Sequence, residues 1–240
     1  GISLFVIDGN AAGVTRRTYA TIDGSKGCDL FLQNVSVDAG ALLGAAGDAA
    51  EVIEYQLGRA ISALCGEAVG VMEVACELTL DYLKQRKQFG VPIGKFQVLQ
   101  HRMVDMMSEL EQARSMAILA ASVADETQSA ERRRILAAAK NVIGRAGQFI
   151  AENGIQSHGG IGMTWEYSFA HYAKRLVMIN HQLGDDDLDA FITRFSDFVY
   201  SRLRSRALVD VLERPTADQR FWGTYVIKPT QLFTTLIKKK

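Results

Sequence analysis

The sequence predicts a mainly α protein, an up-and-down four-helix bundle preceded by the last strands of a truncated β-domain. Two observations carry this expectation. Near residue 47 the apolar period switches from two to about 3.6 residues, and long stripes of that second period follow one another with short connections between them. Helices joined by short connections, each with one apolar stripe, bury those stripes by packing antiparallel. The boundaries are 1–45 for the β segment, 46–205 for the bundle and 206–240 for a tail without assignment.

The β segment contains three candidate strands. Ile2–Ile7 is apolar and stops at the turn signal Asp8-Gly9-Asn10. Arg16–Ile22 is more polar and closes at Asp23-Gly24, and Cys28–Val37 alternates imperfectly. Three short strands make no stable sandwich alone, so they are expected to complete a sheet with further strands. The chain opens on Gly1 and runs straight into the first strand, which reads as a fragment or a chain lacking its true N-terminus.

Leu57, Ile61, Leu64, Ala68, Val71, Ala75, Leu78 and Tyr82 step by three and four, the stripe of one helix of roughly 35 residues. It is expected to end near Gly90-Val91-Pro92, because proline biases its predecessor away from helix. A second helix carries Phe96, Leu99, Met103, Met106, Leu110, Ala113 and Ala117 on one face, up to a polar break at 127–130. A third, about 131–153, carries Leu136, Ala139, Ile143, Ala146 and Ile150, and Gly159-Gly160 interrupts it. A fourth runs from Trp165 to about Leu183. Asp185-Asp186-Asp187 then suits the positive end of a fifth helix reaching about Leu203.

Composition excludes several classes. Lys plus Arg and Asp plus Glu both number 27, so no global field draws the chain to nucleic acid or to an anionic membrane surface. No apolar run reaches the roughly 20 residues of a membrane helix, and no signal peptide precedes the first strand. Cys28, Cys65 and Cys76 follow no disulfide or zinc spacing. Cys65 and Cys76 read as small core residues, which favours a reducing, cytoplasmic compartment. No residue pattern suggests a metal.

Two segments are candidates for chemistry. Arg86-Lys87-Gln88-Phe89-Gly90-Val91-Pro92-Ile93-Gly94-Lys95-Phe96-Gln97 places cations, amides and aromatic rings on a connection that needs only a glycine and a polar residue. An arginine binds pyrophosphate in bidentate fashion and an aromatic ring covers an adenine or flavin face; a capping glycine among solvated cations is the alternative. Gln156-Ser157-His158-Gly159-Gly160-Ile161-Gly162 would let backbone approach a ligand closely, or simply break a helix. It matches neither a Rossmann nor a P-loop pattern. His158 reads as a site or turn residue, His171 and His181 as structural, and His101 as a surface or interface residue.

Taken in order, these segments resemble the acyl-CoA dehydrogenase family. The resemblance spans about residues 1–190. It rests on the Gly1–Asp8 strand, Tyr19–Gly24, Glu67-Ala68-Val69-Gly70, Tyr82 with Arg86–Phe96, and Gln156–Gly162. The sequence is closest in style to the small subunits of pimeloyl-CoA dehydrogenases, through Ala20–Gly24, His171–Leu176 and Gly184-Asp185.

The resemblance implies the end of a middle β-domain followed by a C-terminal four-helix bundle, assembled as a dimer of dimers. It implies FAD between subunits, with Arg86, Gln88 and Phe89 on the pyrophosphate and adenosine side, Gln97 nearby, and Gln156 with Gly160 at the adenosine part. The implied reaction is α,β-dehydrogenation of an acyl-CoA, possible substrates including a dicarboxyl-CoA such as pimeloyl-CoA, with electrons passing to a partner protein. The family's two seats for the catalytic carboxylate fall here at Leu183-Gly184 and at Ala60. The catalytic base is therefore unassigned, with Asp185 the nearest substitute and Glu67 a weaker one. A catalytically silent subunit that supplies the bundle and part of the FAD site to a partner is the alternative.

Overall fold

The computed structural model of the chain describes residues 1–127 and 129–184. They fall into two compact units, one of residues 1–56 and one that begins at Leu57. The expected fifth helix, the acidic run that starts at Asp185 and the tail lie outside the described residues.

In the first unit, β1 (Leu4–Phe5) pairs antiparallel with β4 (Leu42–Leu43), and β2 (Val14–Ala20) pairs with β3 (Lys26–Leu32). The hairpin turn is built by Asp23, whose carboxylate accepts from the Thr21 hydroxyl and from the Ser25 amide at 3.2 Å, with Gly24 at φ 82°. Gly27 faces Tyr19 across the ladder, and the ring lies where a Cβ at Gly27 would be. The tyrosine thus covers backbone that glycine leaves bare. Three expectations change, the second strand running Val14–Ala20 in place of 16–22. The first strand shrinks to β1 plus a parallel bridge between Ile2 and Asp48. The third shifts from 28–37 to Lys26–Leu32, because the chain turns at Asn34, whose φ is 52°.

Beyond it run α1 (Ala49–Gln85), α2 (Gln97–Val123), α3 (Ala130–His158) and α4 (Ser168–His181). Every residue expected on the α1 stripe from Leu57 to Tyr82 is buried or half-buried. Ile61, Ala68, Met72 and Ala75 join Met106, Leu110, Ile143, Ile150, Phe169 and Leu176 in one core. Cys65 and Cys76 belong to it as free thiols, and burial pushes both up to about 11. Ion pairs Glu73–Arg114 at 2.5 Å and Glu67–Arg175 at 2.5 Å tie α1 to α2 and to α4. Among the described residues no helix is long and apolar enough to cross a membrane.

Helix α3 holds the second unit together. Its start is capped by Ser129, whose hydroxyl accepts from the Arg132 amide at 3.0 Å. The Arg132 guanidinium, 1% exposed, turns back and donates to the carbonyls of Val123 and Ala124 at 3.1 and 2.7 Å, closing the end of α2. Gly58 on α1 leaves the room it needs, since a Cβ there would lie 2.4 Å from the guanidinium. Further along the helix Gly144, Gly147 and Gly154 face α4: added Cβ atoms would sit 2.2 Å from the Asn180 Oδ1, 3.4 Å from Leu176 and 2.1 Å from the Phe169 ring.

These distances set a prediction. Gly154→Ala forces a methyl into the Phe169 ring and is expected to cost about 1–3 kcal/mol by overpacking, read from denaturant midpoints. Gly66→Ala on α1 meets nothing within 4 Å and is expected to gain up to about 1 kcal/mol from helix propensity. Equal effects at the two positions would refute the close approach of α4.

Candidate functional site

The connection after α1 is folded. The Arg86 amide continues the helix by donating to the Tyr82 carbonyl at 2.8 Å, and the Arg86 carbonyl accepts from Ile93 at 2.8 Å. Between them β5 (Lys87–Gln88) pairs with β6 (Val91–Pro92) across a turn at Phe89 and Gly90. Their φ angles of 54° and 79° are those of a type I′ hairpin, in which both central residues are left-handed. Glycine and asparagine suit such positions; phenylalanine does not. The Phe89 ring is 91% exposed, touching Phe96 edge-on at 6.1 Å.

A 3₁₀ turn, Ile93–Lys95, then leads into α2. It lies so close to the end of α1 that a Cβ at Gly94 would be 2.9 Å from the Leu83 carbonyl. The Gln100 side chain donates to the Gly94 carbonyl at 2.9 Å and fixes the entry to the helix. Arg86, Gln88, Phe89 and Gln97 are all exposed along this stretch.

The second segment departs from expectation. α3 does not stop near 153 but continues through His158 to the Gly159 break, with Gly154 inside it set against the Phe169 ring. Gln156 therefore stands exposed on the last helical turn. Gly159 ends the helix at φ 66°, and Gly159–Met163 forms a 3₁₀ turn. Gly162 packs against the His158 Cβ, 2.9 Å from where its own Cβ would be. Gly160 is different: its φ is not left-handed, it is exposed, and an added Cβ would meet nothing within 4 Å.

His158 faces inward, 4% exposed, and is neither a turn residue nor open to solvent. Its ring lies 4.6 Å from Tyr82, 5.1 Å from Tyr167 and 4.5 Å from Phe169, centroid to centroid. Its Nδ1 is 2.8 Å from the Gly154 carbonyl; a carbonyl only accepts, so Nδ1 carries the proton. Nε2 is buried without a hydrogen bond of normal geometry. Burial holds the imidazole below its ordinary range, while the carbonyls of Gly154 and Leu78 pull the other way.

This aromatic cluster brings the two segments together. Tyr82 lies one helical turn before Arg86, and His158 lies two residues after Gln156, so their contact roots both segments at one end of the bundle. Tyr82, Tyr167 and Phe169 are the positioning residues that sequence reasoning missed in this role, although Tyr82 stood on the α1 stripe. Glu67 is held by both of its oxygens to Arg175 at 2.5 and 2.9 Å, which makes it a tie between helices. His171 and His181 are exposed; a His171 ring nitrogen lies 2.9 Å from the Trp165 carbonyl, and the Lys174 ammonium sits 3.3 Å over the Trp165 ring. His101 is exposed on α2. Asp185 lies outside the described residues.

Comparison with known proteins places this architecture. A family profile described as "Acyl-CoA dehydrogenase, C-terminal domain" matches residues 41–187. Acyl-CoA dehydrogenase IpdE2 of Mycobacterium tuberculosis is 40% identical over 112 residues, covering 47% of this chain and 33% of that protein. The short-chain specific acyl-CoA dehydrogenase of Megasphaera elsdenii is 27% identical over 197 residues, covering 80% and 51%. Glutaryl-CoA dehydrogenase of Desulfococcus multivorans is 31% identical, covering 72% and 45%. Among solved structures, a glutaryl-coenzyme A dehydrogenase in complex with glutaryl-CoA superposes with a TM-score of 0.74 at 28% identity, covering 82% of this chain and 51% of that one. A "Tcur3481-Tcur3483 steroid ACAD" variant gives 0.69 at 28%, covering 85% and 53%. The chain spans between a third and about half of the length of these curated relatives.

The buried imidazole generates a pH prediction. Its folded pKa lies below the ordinary 6.5, so above that value both folded and unfolded histidines are neutral and stability is full. As pH falls below 6.5 the unfolded chain takes up the proton first, and stability drains away toward and through the folded pKa. Denaturant midpoints at about pH 7.5 and about pH 5 are expected to differ more for the unaltered chain than for His158→Gln. The same pH dependence in both would show that His158 is not the group responsible.

Proposed function

The chain belongs to the acyl-CoA dehydrogenase family through its C-terminal domain, and on that premise we propose that it serves an FAD-dependent enzyme that oxidises an acyl-CoA to its α,β-unsaturated thioester. The observation that carries the reading is the rooting of two exposed, chemically dressed segments at one bundle end by Tyr82 and His158. The residues present fit the cofactor. Arg86, Lys87 and Lys95 are exposed cations near the start of α2, an electropositive setting for a pyrophosphate. Gly160 is exposed and an added Cβ would meet nothing within 4 Å among the described residues, so its backbone is open to a ligand's approach.

In this reading Arg86 binds the pyrophosphate, Gln88 and Phe89 hold the adenosine side, Gln97 lies nearby, and Gln156 with the Gly160 backbone reaches the adenosine part. Bound flavin supplies the acceptor for the hydride that leaves the β-carbon. A carboxylate removes the α-proton, made acidic by the thioester carbonyl. With Glu67 tied to Arg175, Asp185 is the proposed carboxylate of this chain.

The likeness to two glutaryl-CoA dehydrogenases supports a dicarboxyl-CoA substrate such as glutaryl- or pimeloyl-CoA. Residues 1–45 would complete a β-domain, and 46–205 the bundle, of a homo- or hetero-oligomer built as a dimer of dimers. Its electrons would pass to an electron-transfer protein, in a cytoplasmic compartment that suits three free cysteines.

One observation favours a second reading. Leucine and alanine, at Leu183 and Ala60, stand where the resemblance seats a carboxylate. A subunit that lends its bundle to the FAD site while its partner supplies the base accounts for that.

Two measurements test these readings. The assembled protein is expected to purify with a flavin absorbance band that glutaryl-CoA or pimeloyl-CoA bleaches anaerobically; no flavin under any partner condition would sink both readings, and unchanged turnover in Asp185→Ala would select the second. Phe89→Asn relieves a left-handed phenylalanine and is expected to leave stability unchanged or raise it by up to about 1 kcal/mol. It is nonetheless expected to weaken flavin retention several-fold. A loss of stability without loss of flavin would remove Phe89 from the site.

A further inference from the structure

Lys140 is buried to 1% exposure in the middle of α3. Its ammonium donates to the carbonyl of Asn180, in the last turn of α4, and to that of Gly184, beyond the helix end, each at 2.8 Å. A buried ammonium persists only where its donors find acceptors, and carbonyls at a helix C-terminus lack partners within the helix and carry its negative dipole end. The cation and the helix end satisfy one another.

What Lys140 spans is the exit from α4. Gln182 ends the helix, and Leu183 and Gly184 follow at φ 58° and 106°. A left-handed leucine is disfavoured on its own. Leu183 packs against the core while Gly184 is held by the ammonium. The end of α4 is also pressed onto α3, where Gly144 makes room for the Asn180 side chain. The direction in which the chain leaves α4 is thus fixed from α3.

We propose that Lys140 is a positioning residue, whose buried ammonium ties down the exit of α4 as far as Gly184, the last residue before Asp185 in the sequence. The consequence for turnover rests on the function proposed above, in which Asp185, the next residue in the sequence, removes the α-proton.

The test uses the assembled, flavin-loaded protein and Lys140→Met, which keeps the aliphatic length and loses the donors. Amide exchange at Gln182, Leu183 and Gly184 is expected to quicken by about tenfold or more, while amides near Ile143 and Ile150 stay protected. The kcat is expected to fall by about tenfold with KM and flavin content unchanged. Lys140→Gln, retaining a donor on a shorter arm, is expected to fall between the two. Exchange that is unchanged, or raised equally along α3 and α4, overturns the proposal; so does an opened exit with unaltered kcat.

A measurement on the unaltered protein does not depend on any variant folding. The Lys140 ammonium protons are expected to exchange slowly enough to be seen by NMR, and rapid exchange overturns the proposal. If the unaltered protein oxidises no acyl-CoA, the function proposed above fails separately, and the exchange measurements still decide whether Lys140 holds the exit.

Discussion

The close approach of α4 to α3 is the contact on which the rest of the second unit depends. Gly144, Gly147 and Gly154 recur on one face of α3; at Gly144 and Gly154 the space of a missing side chain is taken by a residue of α4, and at Gly147 a Cβ would just touch Leu176. A glycine inside a helix costs about 1 kcal/mol relative to alanine, so three on one helix are a real expense of local stability. They are offset by burial of Phe169, Leu176 and Ile179, each worth roughly 1.5–3 kcal/mol when removed from water. With Phe169 seated over Gly154, Tyr167 and His158 come into contact, and Tyr82 completes the cluster from α1. The packing of two helices thereby fixes the end of the bundle where the exposed segments emerge.

Charge inside this unit obeys the same geometry. Arg132 and Lys140, eight residues apart on α3, are both nearly inaccessible, and each donates to carbonyls at the C-terminal end of a neighbouring helix. A cation without partners in such a place would be strongly destabilising, but a helix end offers free carbonyls and a negative dipole in one spot. One helix thus caps α2 at its own beginning and α4 further along. Gly58 and Gly144 belong to this arrangement: the first clears space for the Arg132 guanidinium, the second for the side chain of Asn180, whose carbonyl Lys140 holds.

Much of this was legible in the sequence, and the reasons for the rest are physical. The stripes on α1 and α3 named their core residues because burial imposes a period of 3.6 on apolar positions. The type and order of the helices followed. The end of α3 followed only in part: Gly159, the break the sequence offers, does end it, but the apolar stripe stops at Ile150 and leaves the last two turns unmarked. Lys140 and Arg132 were opaque: nothing in local spacing separates them from Arg134 and Arg145, which are exposed. Of the candidate site, the two segments could be read from residue types out of proportion to a connection. That Tyr82 and His158 join them could not, for the two rings are 76 positions apart in the sequence.

The hairpin between α1 and α2 differs in kind from the α3–α4 packing. Every unusual feature of the α3–α4 packing is returned in buried area or in satisfied carbonyls within the chain. Phe89 is not: it adopts a left-handed backbone that suits asparagine or glycine, and among the described residues its ring meets another ring only at Phe96, edge-on. A local rule broken without compensation inside the fold is the mark of a residue selected for something other than stability. Phe89 is such a residue, and its segment is rooted by the same pair of rings as the exposed Gln156. A planar group lying against Phe89 would supply the compensation that the described residues do not.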